Sequence, residues 1–372
     1  MANIKTIKLI DKYCGSFLCA VLGLLQFFMP KRITKQKKIL LIQLWGLGET
    51  VLALPAIKAL KEYNKKNSIA VLTTDRVKDI FFDNVYIDSV LVVELNPFSI
   101  VAFMIRHFQE YDLVIDMEEY LNVSAIMAFF LGMRRIGYDH GFRSWLYSQK
   151  VPYNDQQHVT QTFMDLLVPL RLEKKINELE KLHYSKKDNA SVSILIKKNK
   201  IKKPMLLLSP GAAESSKIRM WPNEKWAELI EKLQQEWNGS IILLGGIDIK
   251  PVNQTIISLL ANAKGVYDVS GQTNVPELIA LIDLSQGMIS IDSGPMHLAA
   301  AQGIKTIGLF GPNTPVRFGP LGRYCTSIYK PLTQPVINVH LGQVPDTAKF
   351  DNMSTIGVED VMKAVEKTKM LH

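Results

Sequence analysis

Twice along this chain, short, mostly apolar runs alternate with stretches of helical character, and this double alternation constrains the fold more than any other feature. The first series is ILLIQLW (39–45), IAVLT (69–73), VLVVE (90–94) and LVIDM (113–117); the second is MLLLS (205–209), SIILLG (240–245), MISI (288–291) and TIGLF (306–310). A strand that is apolar on both sides must be covered on both faces, which a parallel sheet flanked by helices provides. Strand and helix in turn predict an α/β fold of doubly wound parallel sheets. A turn is expected at 46–50 and helices at 51–66, 223–238, 250–263, 275–284 and 295–302, with a closing amphipathic helix at 356–370. A chain of 372 residues is long enough for two such domains. The expected division is 39–175 and 204–350, joined by a lysine-rich linker at 176–203 and closed by 351–372.

Residues 1–38 are of another kind. Cys14 to Met29 carries no charge, Pro30 ends the run, and KRITKQKK follows. The run is shorter than the roughly 20 residues of a spanning helix, and no small-residue cleavage site follows it. A membrane-associating helix is expected, lying in or dipping into one leaflet, with Lys5, Lys8, Lys12 and the cluster from Lys31 to Lys38 on anionic headgroups. The basic flank places it on the cytoplasmic side. A buried core helix is the competing expectation.

Charge placement also bears on partners. Of a formal net charge of +9, residues 1–38 hold eight Lys/Arg against one acidic residue, and residues 181–203 hold eight against Asp188. The remainder has 28 basic and 33 acidic residues. A nucleic-acid protein carries its basic charge over a folded face, so no nucleic-acid partner is expected. Cys14, Cys19 and Cys325 are too few and too scattered for a disulfide framework or a zinc site.

Open α/β sheets bind ligands beyond the carboxyl ends of their strands, and three loops there carry chemistry. Gly46-Leu47-Gly48-Glu49 follows the first strand; Val51 stands where a dinucleotide fingerprint needs its third glycine, which argues against a dehydrogenase. Glu49 fits either a carboxylate favoured by a helix dipole or a general base. Ser209-Pro210-Gly211, running on to Lys217, Arg219 and Trp221-Pro222, offers backbone N–H groups and cations to a phosphate; a solvated basic loop is the alternative. Asp292-Ser293-Gly294-Pro295-Met296-His297 opens a helix whose N–H groups suit an anion, with His297 either a ligand contact or a structural residue. Phe310–Pro315 is a turn-rich loop on the same rim. No D-x-D pair occurs, so no metal clamp on a diphosphate is expected; no cofactor is expected either.

The segments GLGETVLALPAIKAL (46–60), SPGAAESSKIRMWPNEKWAELIEKL (209–233) and SGQTNVPELIALIDLSQGMISIDSGPMHLAAAQGIKTIGLFGPNTP (270–315) resemble glycosyltransferase family 9, the heptosyltransferases of lipopolysaccharide core assembly and their relatives. The resemblance covers roughly residues 39–345. It implies a GT-B arrangement, an acceptor-side N-terminal domain facing a nucleotide-sugar-binding C-terminal domain. It also implies an inverting, metal-independent displacement in which a first-loop carboxylate takes the acceptor's proton. Glu49 stands where the family usually has aspartate, and Arg219 where it usually has lysine. Ser209, Gly211, Lys217, Arg219, Asp292, Ser293, Gly294 and His297 fall to the donor, with Asp248 as the nearest counterpart of a nucleoside-binding carboxylate. Gly46 and Gly48 fall to the acceptor-side loop. His158, in the segment matching the family's interdomain region, is expected to be structural.

The implied partners are a nucleotide-sugar donor such as ADP-heptose, a lipopolysaccharide core or other lipid-linked glycan acceptor, and an anionic membrane surface at the cytoplasmic face of a bacterial inner membrane. A nucleotide-sugar epimerase or hydrolase of the same architecture is the first alternative. A tethered protein without activity is the second, because both the base and the donor cation depart from the family pattern.

Overall fold

The computed structural model describes residues 10–25, 38–212, 214–330 and 352–371, with backbone alone at 214–216. Lys5, Lys8, the cations from Lys31 to Lys37, the end of the apolar run and all of 331–351 lie outside the described residues, as do the hydroxyls of Ser215 and Ser216. The chain divides into two compact units, Met1–Ile176 and Asn177–His372.

The first unit is built on a six-stranded sheet. Its strands are β1 (Lys38–Ile42), β2 (Ser68–Thr73), β3 (Ser89–Val92), β4 (Tyr111–Asp116), β5 (Gly132–Tyr138) and β6 (Gln149–Val151), in spatial order β3-β2-β1-β4-β5-β6. Every neighbouring pair is parallel. The N-terminal helix α1 is Ser16–Leu25; the helices between strands are α2 (Leu47–Tyr63), α3 (Pro97–Arg106) and α4 (Asn122–Leu131), and α5 (Val159–Asp165) follows β6. Leu40, Ile42, Leu72 and Val114 from the sheet share one buried cluster with Cys19 of α1 and Ala125, Met127 and Phe129 of α4.

In the second unit α6 (Lys186–Lys198) precedes β7 (Met205–Ser209). Then come α7 (Asn223–Glu236), β8 (Ser240–Leu243), α8 (Lys250–Ser258), β9 (Val266–Asp268), α9 (Val275–Asp283), β10 (Gly287–Ile291), α10 (Gly294–Gln302), β11 (Lys305–Phe310), α11 (Pro315–Phe318), β12 (Cys325–Tyr329) and α12 (Val358–Lys367). The strand order is β12-β11-β10-β7-β8-β9, again wholly parallel. Read from the β9 edge, this is the topology of the first unit. Trp221 and Trp226 meet edge to face at 5.1 Å beneath α7, and the Trp221 indole N–H donates to the Ile356 carbonyl at 3.1 Å.

The eight apolar runs all form strands. β5, β6, β9 and β12 have no such signature, since strands towards a sheet edge are less covered and tolerate polar residues. β5 reads GMRRIGY; its buried Arg135 donates to the carbonyls of Leu146 and Gly132 and lies over Phe129 at 5.1 Å. The segment 176–203, expected as a linker, contains α6, opened by a capping box of Ser185 and Asp188. α6 packs against α9, and Tyr184 donates to Asp283 at 2.9 Å. Lysines at both ends of this half-exposed helix hid its periodicity.

The described part of the N-terminal apolar run is docked on the first unit. A π-helical turn, Asp11–Gly15, leads into α1. The Asp11 carboxylate accepts from the N–H groups of Asn122 and Val123 at 2.9 and 2.8 Å, which caps the start of α4. Gly15 and Gly23 are points of close approach: a Cβ on either would lie 2.8 Å from the Cβ of Asn122 or Trp145. Cys19 is fully buried, while Ile10, Tyr13, Phe17, Leu24 and Leu25 are exposed. Among the described residues no helix is long and apolar enough to cross a membrane.

Candidate active site

In each sheet the strand order reverses once, between β1 and β4 in the first unit and between β7 and β10 in the second. The loops leaving the carboxyl ends of these strands flank the crevice where such sheets hold ligands.

In the first unit, α2 begins at Leu47, so Gly48 and Glu49 lie in its first turn instead of the expected five-residue turn. Gly46 has φ of +79°, a conformation open to glycine, and the Glu49 carboxylate folds back over it into the space a Cβ would fill. Glu49 is half-buried and Gly48 buried. The backbone before them is pinned at successive groups. The N–H groups of Leu44 and Trp45 both donate to Glu118 Oε1, at 2.6 and 2.9 Å. The Leu44 carbonyl accepts from the Thr74 hydroxyl at 2.9 Å, and the Trp45 carbonyl from the Gln43 amide at 2.8 Å. Gly46's carbonyl accepts from Thr50 through backbone and hydroxyl, at 3.0 and 2.8 Å. The side chain of Glu49 is therefore carried on a backbone held by hydrogen bonds at Leu44, Trp45 and Gly46.

Behind the turn lies a buried charged network. Asp116, at the end of β4, accepts from Arg143 Nη2 at 2.8 Å, the Tyr147 hydroxyl at 2.6 Å, the Ser124 hydroxyl at 2.8 Å and the Glu118 N–H at 3.1 Å. Arg143 also donates to the Glu118 carbonyl at 2.7 Å. Burial lifts the Glu118 carboxyl to about 8; the Asp116 charge adds to this, and the two N–H bonds and Arg143 oppose it. With Glu118 neutral, one carboxylate faces one guanidinium, the balanced state a buried cluster favours. Next along the rim, Tyr153 donates to Glu119 Oε2 at 2.8 Å, and His140 contacts the Glu119 carbonyl. The pKa of His140 is depressed by burial and by the Arg143 charge. His158 N-caps α5 through Thr160, a structural role.

In the second unit, Ser209 is the buried last residue of β7, and Gly211 packs against Ile249 so closely that a Cβ there would overlap it. Ile249 also fills the space beside Gly245, which brings the short turn carrying Asp248 next to the Gly211 loop. Asp248 is exposed, with its carboxylate over Gly246. Lys217 is exposed at a 3-10 turn, Glu214–Arg219. Arg219 is buried: its Nη1 lies 3.3 Å from Asp292 Oδ2 and 3.4 Å from the Asp292 carbonyl. The same Oδ2 accepts from the Asn313 amide at 2.6 Å. Asp292 thus ties the loop after β7 to the loop after β11. Ser293 N-caps α10 by position, its hydroxyl 3.0 Å from that of Ser290, and Gly294 is the first helical residue. His297 is buried one turn in.

Most of the residues expected at the donor site therefore gather at the carboxyl edge of one sheet, and Gly46, Gly48 and Glu49 at that of the other. Glu118 and the Arg143 network went unnoticed in the sequence, and Asn313 was seen there only as part of a turn-rich loop. A pair of acidic residues directly after the fourth apolar run was the available signal for Glu118.

Two doubly wound parallel domains in series, with polar loops at both switch points, define the GT-B architecture. The chain belongs to glycosyltransferase family 9 (heptosyltransferase), whose sequence profile matches residues 106–342. It is 24% identical over 342 residues to lipopolysaccharide heptosyltransferase 3 of Escherichia coli K12, covering 86% of this chain and 94% of that protein. With lipopolysaccharide heptosyltransferase 1 of Campylobacter coli it shares 23% identity over 350 residues, covering 89% and 98%. Among solved structures, a family 9 glycosyltransferase of Veillonella parvula superposes with a TM-score of 0.75 at 18% identity, over 89% of this chain and 97% of that one. The E. coli ADP-heptose heptosyltransferase II superposes with a TM-score of 0.71 at 17% identity, over 89% and 98%.

Proposed function

We propose that this protein is an inverting, metal-independent transferase that moves a sugar, of the ADP-heptose type, to a lipopolysaccharide core or other lipid-linked glycan at the cytoplasmic face of the inner membrane. The acceptor hydroxyl attacks the anomeric carbon as the bond from that carbon to the diphosphate oxygen breaks. Glu49 takes the hydroxyl proton. The nucleoside diphosphate departs with its charge met by Lys217, Arg219 and the N–H groups at Ser293 and Gly294 that open α10. Asp248 is the carboxylate assigned to the nucleoside. A structure of an E. coli relative with ADP and another with an ADP-heptose analogue support the choice of donor.

The observation that carries this proposal is the pinned turn under Glu49. A general base contributes about 10²–10⁴-fold, and only when its geometry is fixed. Glutamate reaches one methylene further than the family's usual aspartate, and the fold-back over Gly46 takes up that length. At the donor edge, Asp292 fixes the Arg219 guanidinium, whose planar fork suits phosphate oxygens.

Glu49→Gln tests the assignment. Sugar transfer should fall at least about 10²-fold while ADP affinity by calorimetry stays that of the wild type. Transfer near the wild-type rate would overturn the base assignment. Donor turnover in the absence of acceptor would favour an epimerase or hydrolase instead.

A further inference from the structure

α3, PFSIVAFMIR, is apolar for most of its length, yet none of its ten residues is buried. Phe98 is 89% exposed and Ile105 73%, and Val101 and Phe108 are also exposed. Only the inner side of the helix, at Ile100, Phe103 and Met104, leans on the cluster beneath. An apolar helix in this position exposes more hydrophobic surface than an ordinary solvated face. Helix α1 repeats the pattern: Cys19 is buried, but Phe17 is 68% exposed and Leu24 59%. Both helices pack against α4, in the helix layer on one face of the sheet. Phe142 and Trp145, stacked edge to face at 5.3 Å beside α1, add two more partly exposed rings.

Charge decides among possible occupants. No Asp or Glu occurs within 12–37, 97–108 or 140–151. Lys12 and Arg106 are exposed, and the acids flanking these stretches are engaged: Asp11 caps α4, Glu94 accepts from the Asn96 amide at 2.9 Å, Glu110 pairs with His107 at 2.6 Å and Lys38 at 3.6 Å, and Asp139 lies 3.7 Å from Lys150. A second copy would set these cations against their own counterparts across a two-fold axis. An anionic lipid surface meets them with opposite charge, and takes phenyl and indole rings at headgroup depth.

We propose that α3 and α1, with Phe142 and Trp145, form one bilayer-seating face of the first unit that inserts its apolar side chains into an anionic leaflet. This deepens, and rests on, the membrane-side acceptor proposed above.

Vesicle flotation tests it. The probes are vesicles of phosphatidylglycerol with phosphatidylethanolamine, and of phosphatidylcholine alone. Wild type should float with the anionic vesicles and be released by salt. The double variant F98E/I105E should lose about tenfold or more of that binding, keeping its melting temperature and ADP affinity, and F17E/L24E should do the same. If F98E/I105E floats like the wild type while F17E/L24E does not, α3 is no part of the face and the proposal is overturned. If wild type is dimeric by light scattering and F98E/I105E is monomeric, the face is a self-association surface and the proposal is likewise overturned. If wild type floats with neither vesicle, the membrane-side reading itself fails.

Discussion

Glu118 Oε1 lies 2.6 Å from the backbone N–H of Leu44, joining the end of β4 to the end of β1 at the point where the strand order reverses. The same oxygen takes the N–H of Trp45, one residue before the glycine over which Glu49 folds. A buried side chain therefore sets the backbone that carries the proposed base.

The raised pKa of Glu118 has a pH consequence with a definite sign. Folded, the carboxyl holds its proton to about 8, while an unfolded glutamate loses it near 4.5. Its contribution to stability is complete below the unfolded value and is lost as pH rises through 8, by at most about 1.4 kcal/mol per pH unit. Glu118→Gln mimics the neutral acid and cannot titrate. Urea midpoints between pH 5 and 8 should decline less for this variant than for wild type. His140, whose pKa is depressed, acts in the opposite direction below about 6.5, but equally in both proteins, so the difference between them isolates Glu118. Parallel curves would mean that Glu118 is ionised in the folded state.

Gly46→Ala should damage activity more than stability. The added Cβ falls on the Glu49 carboxylate, and φ of +79° is strained for alanine. A displaced base costs roughly 10²-fold in turnover, against about 1–2 kcal/mol of unfolding free energy. Single-turnover transfer assays beside thermal melts separate the two effects.

Gly23→Val should unseat the N-terminal helix. Its Cβ would press on Trp145, 2.8 Å from the Trp145 Cβ, and overpacking of this kind costs about 1–3 kcal/mol. Limited proteolysis should then cut within residues 10–25 faster than in wild type, with ADP binding retained.

Asp292→Ala removes the carboxylate shared by Arg219 and Asn313. Arg219 would lose its fixed orientation, and breaking a buried pair costs about 3–5 kcal/mol. ADP should bind at least about tenfold more weakly by calorimetry, whereas Asn313→Ala, which leaves the ion pair in place, should have a smaller effect.

The amino-acid sequence alone determined the parallel α/β class and the presence of two such domains, and it marked the three strand-end loops on which the proposed site rests. Strands covered on both faces are mostly apolar, so each central strand is written as a local run, and the loop after it stands at the edge where open α/β sheets bind ligands. Tertiary structure decided what depends on residues brought together from afar. Glu118 holds Leu44 across 74 residues, Arg143 holds Asp116 across 27, and Arg219 meets Asp292 across 73. It also decided which apolar helices are covered. In sequence α3 and the buried α4 look alike, and only the packing of the layer shows that one faces the core and the other faces outward, because burial belongs to the neighbours a helix acquires and not to its own composition.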